Sequence, residues 1–560
     1  MRTVLEEQGL YAPALREEQS CRRFISVTDC VVNIPARTKS VEPEYRERIW
    51  SRYASGKQRY NQRNKDQRGR AGKHIEKRDA EKGQDKINKI IGELENEVEC
   101  FCSTTGKAYI QITEGEENRV VIPIASKQFQ NWFRNICYQY FQLILPSEGE
   151  RKAQAHFEML AEVHGKRKKL YRRIAKTGNA IYYDCIREDG RILKITKEKI
   201  RYINNCKVTF IHSAVHASQS KADFTQKPDY LKYYIHNRLN LKNEQQEILL
   251  SAFLVSCFWG DEIFHPIIQM YGEKGASKST CMERIQSIID PHTIGLYALS
   301  HKVDDVALLL GANFMTIFDN VSSIPWTISD LFCRTCTKGV QSKRKLFHDE
   351  EQVYTELNAV ICFNGTSQNV VRSDLADRTI FIQLERIAPE QMLSPSQMKK
   401  EWEEDLPRVF GALCRTVQGV LGDTEALETK SPFRLRDFYD IAVKTARQLG
   451  YDRKKVEQAF RENRKIINEA VISSIPLLTI LEEYMKQTGN KGKIEGTPTE
   501  FYKDLKLFAI EECGVDGRSF PKSSAVLTRR MNENKSNLED IGIYFDTPRG
   551  KNRRIRIWRQ

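Results

Sequence analysis

The sequence contains no long apolar run: nowhere do about 18 apolar residues follow one another, the length that a membrane-spanning helix needs. The opening residues, Met-Arg-Thr-Val-Leu-Glu-Glu, also lack the apolar centre of a signal peptide. These absences argue against a membrane-embedded or secreted protein. We therefore expect a cytoplasmic protein with no membrane partner.

Paired cysteine motifs are missing as well. Fourteen cysteines in 560 residues are too sparse for a disulfide framework. The one C-x-x-C, Cys333 to Cys336, has neither a second C-x-x-C at finger spacing nor paired histidines nearby. We expect free thiols and no zinc. Within residues 96–225 no carboxylate triad, zinc cluster or other signature of nucleotidyl transfer is apparent, so the sequence gives no reason to predict a primase.

Positive charge, by contrast, is abundant. The chain has 89 Lys and Arg against 74 Asp and Glu, a formal net charge of +15. This excess favours a polyanionic partner, most simply DNA. Between Arg37 and Lys86 basic residues outnumber acidic ones roughly two to one, with few apolar residues. That stretch is either a solvated arm or a tether that holds nucleic acid through phosphates.

A chain of this length predicts about two to four domains, because it is too long for one hydrophobic core. The patterns predict a basic arm (1–95), a small α+β accessory domain (96–227), a helical lead-in with an α/β core (228–390), a helical lid (391–475) and a C-terminal domain (476–560). Helices are predicted at Ser126–Leu145, Tyr230–Leu239, Glu244–Phe258, Gln391–Leu421, Pro432–Asn468 and Ser523–Asn537. The aromatic residues of the first helix fit a core, or alternatively a base-stacking platform.

A phosphate-binding loop is predicted after the apolar strand 267–271. The residues expected to surround the phosphates are Gly272, Glu273, Lys274, Gly275, Ala276, Ser277, Lys278, Ser279 and Thr280. Lys278 would bridge phosphates of ATP, and Ser279 would bind Mg²⁺. Ser277 stands where the usual pattern has glycine, at a position that often needs an unusual backbone conformation.

A second strand, Phe314–Phe318, ends in Asp319 and Asn320. In ATPases with such loops, an aspartate after a neighbouring strand holds Mg²⁺, and the next residue is usually an acid that polarises the attacking water. Asp319 fits the first role. Asn320 is an amide, so its side chain is excluded as a general base, although it could orient a water molecule.

A third strand, Ala359–Phe363, ends in Asn364-Gly365. A polar residue at this tip can hold the attacking water against the γ-phosphate, which is a sensor role; alternatively, Asn-Gly forms only a turn. Further on, Arg378 and Arg372 are candidate arginine fingers for the γ-phosphate of a neighbouring subunit. The alternative is an ion pair with Asp374 or Asp377.

Two strand-like arms, around Val340–Leu346 and Gln352–Tyr354, predict a β-hairpin before the Asn364 strand. Its basic residues Lys343, Arg344 and Lys345 would contact DNA phosphates if the hairpin faced the pore of a ring. The alternative is a charged surface hairpin.

The C-terminal pattern is a helix followed by two strands, Ile543–Asp546 and Arg554–Trp558, around a basic turn. This order predicts a winged helix. Its expected DNA-binding residues are Arg529, Arg530, Arg549, Lys551 and Arg553. The alternative is a winged helix that binds protein and keeps a solvated basic wing.

From about Glu97 onward the chain resembles a family of phage- and mobile-element-encoded ATPases related to superfamily III and MCM-like AAA+ helicases. The residues that carry the resemblance are Gly272 to Thr280, Asp319-Asn320-Val321, Leu331-Phe332-Cys333-Arg334, Ser342-Lys343-Arg344-Lys345-Leu346 and Asp374-Leu375-Ala376-Asp377-Arg378. The resemblance implies an α/β protein with a P-loop AAA+ core, a helical lid, an upstream small α+β domain and a C-terminal winged helix.

From these observations we expect an ATP- and Mg²⁺-dependent replicative DNA helicase of a phage or integrated element. We expect it to form a ring, as a hexamer, and to contact single-stranded and duplex DNA. One alternative is a DNA-bound initiator or scaffold that binds ATP with slow or no hydrolysis, since Asn320 lacks a carboxylate. Another is a transposition or partition ATPase.

Overall fold

The computed structural model of the chain describes residues 86–114, 118–187, 189–204, 206–344, 352–368, 372–425, 431, 433–487, 493–515, 520–547 and 554–560. Most of the predicted basic arm, together with Lys345, Arg549, Lys551 and Arg553, lies outside these residues. None of the helices in the described part of the chain is both long and apolar enough to cross a membrane.

The chain divides into two compact units. The described residues of the first unit are 86–102, 106–114 and 122–167. Helix α1 (86–95) precedes a four-stranded sheet of order β3-β2-β1-β4. The strands are β1 (Glu99–Ser103), β2 (Ala108–Glu114), β3 (Asn118–Pro123) and β4 (Arg167–Lys168), and the helices are α2 (Lys127–Phe141) and α3 (Ser147–Met159), followed by a π-helical turn (Leu160–His164). Helix α2 is shorter than predicted, because Gln142 adopts a left-handed conformation that ends it. Phe129 and Phe133 are buried, so at these positions the core interpretation of the aromatics is confirmed.

The second unit begins with a small antiparallel sheet of order β6-β7-β8-β9. Its strands are β6 (Ile174–Thr177), β7 (Ala180–Asp184), β8 (Ile192–Ile195) and β9 (Ile200–Ile203), and a separate parallel pair joins β5 (Leu170–Tyr171) to β10 (Thr209–Phe210). One face of the small sheet packs against helices α4 (Pro228–Arg238) and α5 (Glu244–Ser256) within one apolar core. Helix α5 is buried all round, as its apolar sequence predicted.

The central sheet is parallel and has the order β12-β15-β11-β16. Its elements are β11 (Ile267–Tyr271), α6 (Lys278–Ile289), α7 (Val303–Ala312), β12 (Met315–Phe318), α8 (Trp326–Cys336), β13 (Val340–Arg344), β14 (Gln352–Glu356), β15 (Val360–Gly365), α9 (Ser373–Ala376) and β16 (Thr379–Gln383). Strands β11, β12 and β15 are fully buried, which explains their continuous apolar sequences.

The outer edge of β16 is closed by side chains. Asn463 accepts the backbone N–H of Phe381 at 2.9 Å and donates to the carbonyl of Thr379 at 3.0 Å. Gln246 accepts the N–H of Gln383 at 2.8 Å. Because Asn463 and Gln246 are both buried, these bonds satisfy edge groups that would otherwise be costly to leave unpaired.

The remaining helices follow the sheet, and two predicted helices are each divided. They are α10 (Pro395–Gly422), α11 (Arg436–Gln448), α12 (Arg453–Ser474), α13 (Pro476–Gln487), α14 (Pro498–Glu511), α15 (Ser524–Glu533) and α16 (Lys535–Asp540). The prediction of one helix over Pro432–Asn468 was wrong, because Gly450 takes a positive φ of 73° between α11 and α12. The predicted helix Ser523–Asn537 likewise breaks at Asn534.

The chain ends in an antiparallel sheet of order β17-β19-β18. Its strands are β17 (Lys493–Gly496), β18 (Ile543–Asp546) and β19 (Ile555–Arg559). Strands β18 and β19 pair as the sequence predicted. Strand β17 was not predicted; it pairs with β19 from Lys493↔Trp558 to Gly496↔Ile555.

Candidate functional site

The predicted phosphate loop lies at the carboxyl end of β11, in the middle of the parallel sheet. Gly272 has a φ of 155°, and a Cβ atom there would lie 2.4 Å from the carbonyl oxygen of Leu384. Only glycine therefore allows β11 and the segment after β16 to approach this closely. Ala276 is buried, while Glu273, Lys274 and Gly275 are exposed.

Ser277 adopts a left-handed conformation, with φ 54° and ψ 34°, immediately before helix α6. Glycine reaches this region without steric cost, which explains physically why the usual loop has glycine here. The serine is tolerated at the expense of some strain. The replacement of the usual glycine by Ser277 thus affects the conformation of the loop backbone.

Lys278 and Ser279 start helix α6, with Thr280 half-buried behind them. The Lys278 ammonium donates to the carbonyls of Gly272 at 2.9 Å and Glu273 at 2.8 Å. Partial burial lowers the pKa of Lys278, while the nearby Asp319 acts in the opposite direction. The lysine thus holds the loop closed through two carbonyl groups.

Asp319 contacts two other predicted site residues. The Ser279 hydroxyl donates to Asp319 Oδ1 at 2.7 Å, and the Asn364 amide donates to the same oxygen at 2.6 Å. The contacts follow from the sheet, because β12, β15 and β11 are adjacent and parallel and their carboxyl ends meet at one edge. In the register, Asn364 lies opposite Met270.

Asn364 and Asn320 are also linked to each other. The side-chain carbonyl of Asn364 accepts the backbone N–H of Asn320 at 2.8 Å, and Asn364 is only 1% exposed. Asn320 has a φ of 51° and is exposed. It borders a groove of about 420 Å³ that Asp319 also lines. Asp319 and Asn320 therefore border the open groove, while buried Asn364 holds both of them in place.

Tyr297 is a neighbour of this site that sequence reasoning missed. Its N–H donates to Ile317 at 3.0 Å and its carbonyl accepts the N–H of Asp319 at 2.8 Å, so it pairs in parallel with the outer edge of β12. The sequence signal for this extended segment was weak. It consists only of apolar residues at alternate positions in the short stretch Ile294–Ala298.

Arg378 lies at the opposite edge of the sheet, away from the loop of its own chain. Its carbonyl accepts the N–H of Ile267, the first residue of β11, at 2.9 Å. The guanidinium is 8% exposed and pairs with the carboxylate of Asp374, which Arg434 also approaches at 3.2 Å. Burial acts to raise the pKa of Asp374, but the bonds with Arg378 outweigh it and lower the pKa. This ion pair is the alternative that the sequence left open.

Arg372 is held separately. Its guanidinium carbon lies 3.8 Å from the centre of the Trp326 ring, and a guanidinium nitrogen pairs with Asp330. Trp326 is 68% exposed, so this stacked pair lies at the surface. Neither candidate arginine is brought next to Lys278 within the chain.

The predicted hairpin is confirmed as an antiparallel pair of β13 and β14. Lys343 and Arg344 lie on β13, opposite Val353 and Gln352. In the C-terminal region, Arg529 and Arg530 are exposed on helix α15. The Nε of Arg529 lies 3.6 Å from a carboxylate oxygen of Glu533.

A cluster of His216, Asp290 and His292 has the spacing of metal ligands, with candidate atoms within 4.8 Å of one another. Its hydrogen bonds favour a different interpretation. The N–H of Ser213 donates to His216 Nδ1 at 3.2 Å, which leaves the proton on Nε2. Asp290 is already held by buried Arg173 at 2.8 Å. The cluster is therefore best described as a buried polar network, with the guanidinium occupying the place of a cation.

Comparisons with known proteins give matches to two family models. A model described as the actinomycete integrative conjugative element replication protein matches residues 234–460. A second model, described as the AICE RepA C-terminal domain, matches residues 477–560. No curated protein sequence matches the chain.

Among solved structures, the chain is similar to SCCmec type IV Cch, described as an active helicase. The TM-score is 0.46 and the identity 12%, over 82% of this chain and 92% of that one. It is also similar to the A form apo structure of the NrS-1 C-terminal region, with TM-score 0.38 and 12% identity, over 84% and 98%. The two family models together span more than half of the sequence. Over residues 234–460 and 477–560, the chain is similar to the replication proteins of actinomycete integrative conjugative elements that these two models describe.

Proposed function

We propose that the protein is an ATP- and Mg²⁺-dependent DNA helicase that acts in the replication of a mobile element. The observation that carries this proposal is the contact of Ser279 and Asn364 with Asp319, beside Lys278, at the edge where three parallel strands end. A hydroxyl and a carboxylate oxygen side by side suit Mg²⁺, which prefers oxygen ligands. The residues present therefore fit Mg²⁺-ATP.

Each residue has a role under this proposal. Bound Mg²⁺-ATP would supply the phosphoryl group whose transfer to water drives movement. Lys278 would neutralise phosphate charge, Ser279 and Asp319 would hold the metal ion, and the backbone amides of the glycine loop would face the phosphates. Asn364 would orient a water molecule with its amide. Asn320 cannot accept a proton, so it would act by position alone.

We further propose that the protein forms a ring, as a hexamer, in which Arg378 completes the site of a neighbouring subunit. Arg378 and the loop lie at opposite ends of five-residue strands, about 13 Å apart at ~3.3 Å per residue. A guanidinium at that edge is better placed for another chain than for its own. It would first have to leave its pair with Asp374. Arg372 is the second candidate for this role.

We also propose a separate role for each of the surrounding structural regions. The sheet and its helices would be a P-loop AAA+ core, with helices α10 to α12 as a lid. The hairpin of β13 and β14, with Lys343, Arg344 and Lys345, would contact a DNA strand. Helix α15 with the sheet of β18 and β19 would be a winged helix, in which exposed Arg529 and Arg530 meet DNA.

The test is ATP hydrolysis and strand displacement on forked DNA. We expect hydrolysis that single-stranded DNA stimulates, and Lys278→Ala should abolish both activities. The matched control is Lys465→Ala, which removes a lysine that is 78% exposed on α12 and should leave both unchanged. Hydrolysis without strand displacement would instead favour a transposition or partition ATPase.

The second candidate is an ATP-binding initiator or scaffold, which the absence of a carboxylate at Asn320 specifically favours. This protein would bind nucleotide as a switch and turn it over slowly or not at all. Nucleotide binding that depends on Lys278, with no turnover in the presence or absence of DNA, would establish this candidate and exclude the helicase.

A further inference from the structure

The antiparallel sheet of β6 to β9 has two chemically different faces. Ile181, Leu193 and Ile195 are buried completely against the apolar core of the second unit. Residues directly opposite one another share a face, so the pairs Tyr182↔Lys194 and Lys194↔Arg201 form one row on the other face. That row crosses three strands and contains two cations.

The turn between β8 and β9 adds to this row. Thr196 donates its N–H to the carbonyl of Lys199 at 2.9 Å, and its hydroxyl accepts the N–H of Lys199 at 3.1 Å. The tight turn brings Lys199 beside Arg201. A half-open groove of about 230 Å³ lies between Lys194, Thr196, Glu198, Lys199 and Arg201. Three cations, one hydroxyl and the Glu198 carboxylate thus surround a space large enough for a phosphate group.

Positive charge exceeds negative charge in this region. From Gly190 to Lys207 the sequence has six Lys or Arg and a single acidic residue, Glu198. Glu198 lies 3.8 Å from Lys197. Among the ion pairs of the described residues, none involves Lys194, Lys199 or Arg201. Three cations beside a single carboxylate leave a net positive charge at the surface, so the arrangement favours an anionic partner.

The neighbouring tyrosine indicates which kind of anionic partner fits the groove. Tyr182, whose ring lies 5.4 Å from the Lys194 ammonium, is only 8% exposed and offers no stacking surface for a base. The groove therefore suits a phosphodiester backbone and not base recognition. We propose that the β8–β9 surface, formed by Lys194, Thr196, Lys199 and Arg201, binds the phosphate backbone of DNA without sequence preference. The site is separate from the nucleotide loop and does not depend on the proposed ATPase.

The test measures how DNA affinity of the full chain depends on salt. Wild type and the double variant Lys199→Ala/Arg201→Ala are titrated with labelled single-stranded and duplex DNA of random sequence at several salt concentrations. Both residues are exposed, so the fold should persist, and an unchanged thermal midpoint checks this. The slope of log K against log salt is negative, and each lost phosphate contact makes it shallower by about 0.7–0.9. For the double variant we expect the magnitude of the slope to decrease by about 1.5. The form of DNA, single-stranded or duplex, that shows this decrease is the partner.

Two further variants separate a local site from total charge. Lys454→Ala/Lys465→Ala removes the same charge from exposed positions on α12 and should leave the slope unchanged. Lys199→Arg/Arg201→Lys keeps the charge and should retain the wild-type slope. An unchanged slope in Lys199→Ala/Arg201→Ala, or an equal fall in the α12 control, would overturn the proposal. DNA affinity is measured here without ATP hydrolysis. A failure of the β8–β9 proposal can therefore be told apart from a failure of the proposed helicase function.

Discussion

Replacing Arg173 by methionine should destabilise the second unit strongly. The Arg173 side chain is completely buried and donates to Asp290 at 2.8 Å and to the carbonyls of Asp184, Ala217 and Pro291 at 3.1 Å each. Methionine fills similar space but leaves the Asp290 carboxylate buried without its cation. Removing one partner of a buried ion pair typically costs about 3–5 kcal/mol. We expect a loss in this range in the free energy of unfolding.

Urea unfolding at neutral pH measures the effect, and two variants test its cause. Arg191→Met removes an arginine that is 54% exposed and 3.9 Å from Asp189, so it should cost less than about 1 kcal/mol. Arg173→Met/Asp290→Asn removes both charges and should be more stable than Arg173→Met alone. A loss below about 1 kcal/mol in Arg173→Met, or a double variant no more stable than Arg173→Met alone, would refute the reasoning.

Three other predictions follow from the backbone and from buried groups. Ser277→Gly should raise the unfolding free energy by about 0.5 kcal/mol, because left-handed strain of ~1–2 kcal/mol exceeds the entropy cost of glycine; a lower thermal midpoint would contradict this. Asn463→Ala should cost about 2–3 kcal/mol in urea unfolding, because it leaves two backbone groups at the edge of β16 unpaired; an unchanged midpoint would refute it. Burial lowers the pKa of His216 to about 3 and that of His265 to about 4, so both take up protons on unfolding below about pH 6.5. Stability should therefore fall from pH 6.5 towards pH 4, by up to about 1.4 kcal/mol per pH unit for each histidine, and His216→Gln with His265→Gln should flatten the profile.

The sequence predicted the elements of the central sheet well because buried parallel strands have a distinctive pattern. Strands β11, β12 and β15 are short apolar runs that end in polar residues, and their carboxyl ends carry the loop, Asp319 and Asn364. The order of the strands was not predictable in this way. Apolar runs specify burial on both faces but not which neighbour each strand pairs with.

Helix ends and long-range polar pairs were harder to predict. The break at Gly450 depends on one left-handed residue within an otherwise continuous helical pattern. Arg173 and Asp290 are 117 residues apart. Arg173 directly follows Arg172 in a basic stretch, and the local sequence indicates neither which arginine is buried nor what its partner is. The same limit applies to Arg378: the sequence offered either an arginine finger or an ion pair, and the single chain contains the ion pair.

Asn320 now has two explanations, and one variant separates them. Its φ of 51° lies in the left-handed region, where asparagine and aspartate are enriched among residues other than glycine. The amide can therefore reflect backbone geometry and need not mark a slow enzyme. Asn320→Asp keeps that conformational tolerance and adds a proton acceptor. If the missing carboxylate limits turnover, ATP hydrolysis should rise at least about tenfold, since general-base catalysis typically contributes 10²–10⁴-fold.

The matched control is Asn320→Gly, which keeps the left-handed backbone and removes the side chain. It should bind nucleotide as tightly as wild type without faster turnover. If Asn320→Asp hydrolyses ATP no faster than wild type while nucleotide affinity is kept, the absence of a carboxylate at this position does not limit the reaction. In that case the backbone conformation is sufficient reason for asparagine, and the argument for a non-hydrolysing switch loses its one structural support.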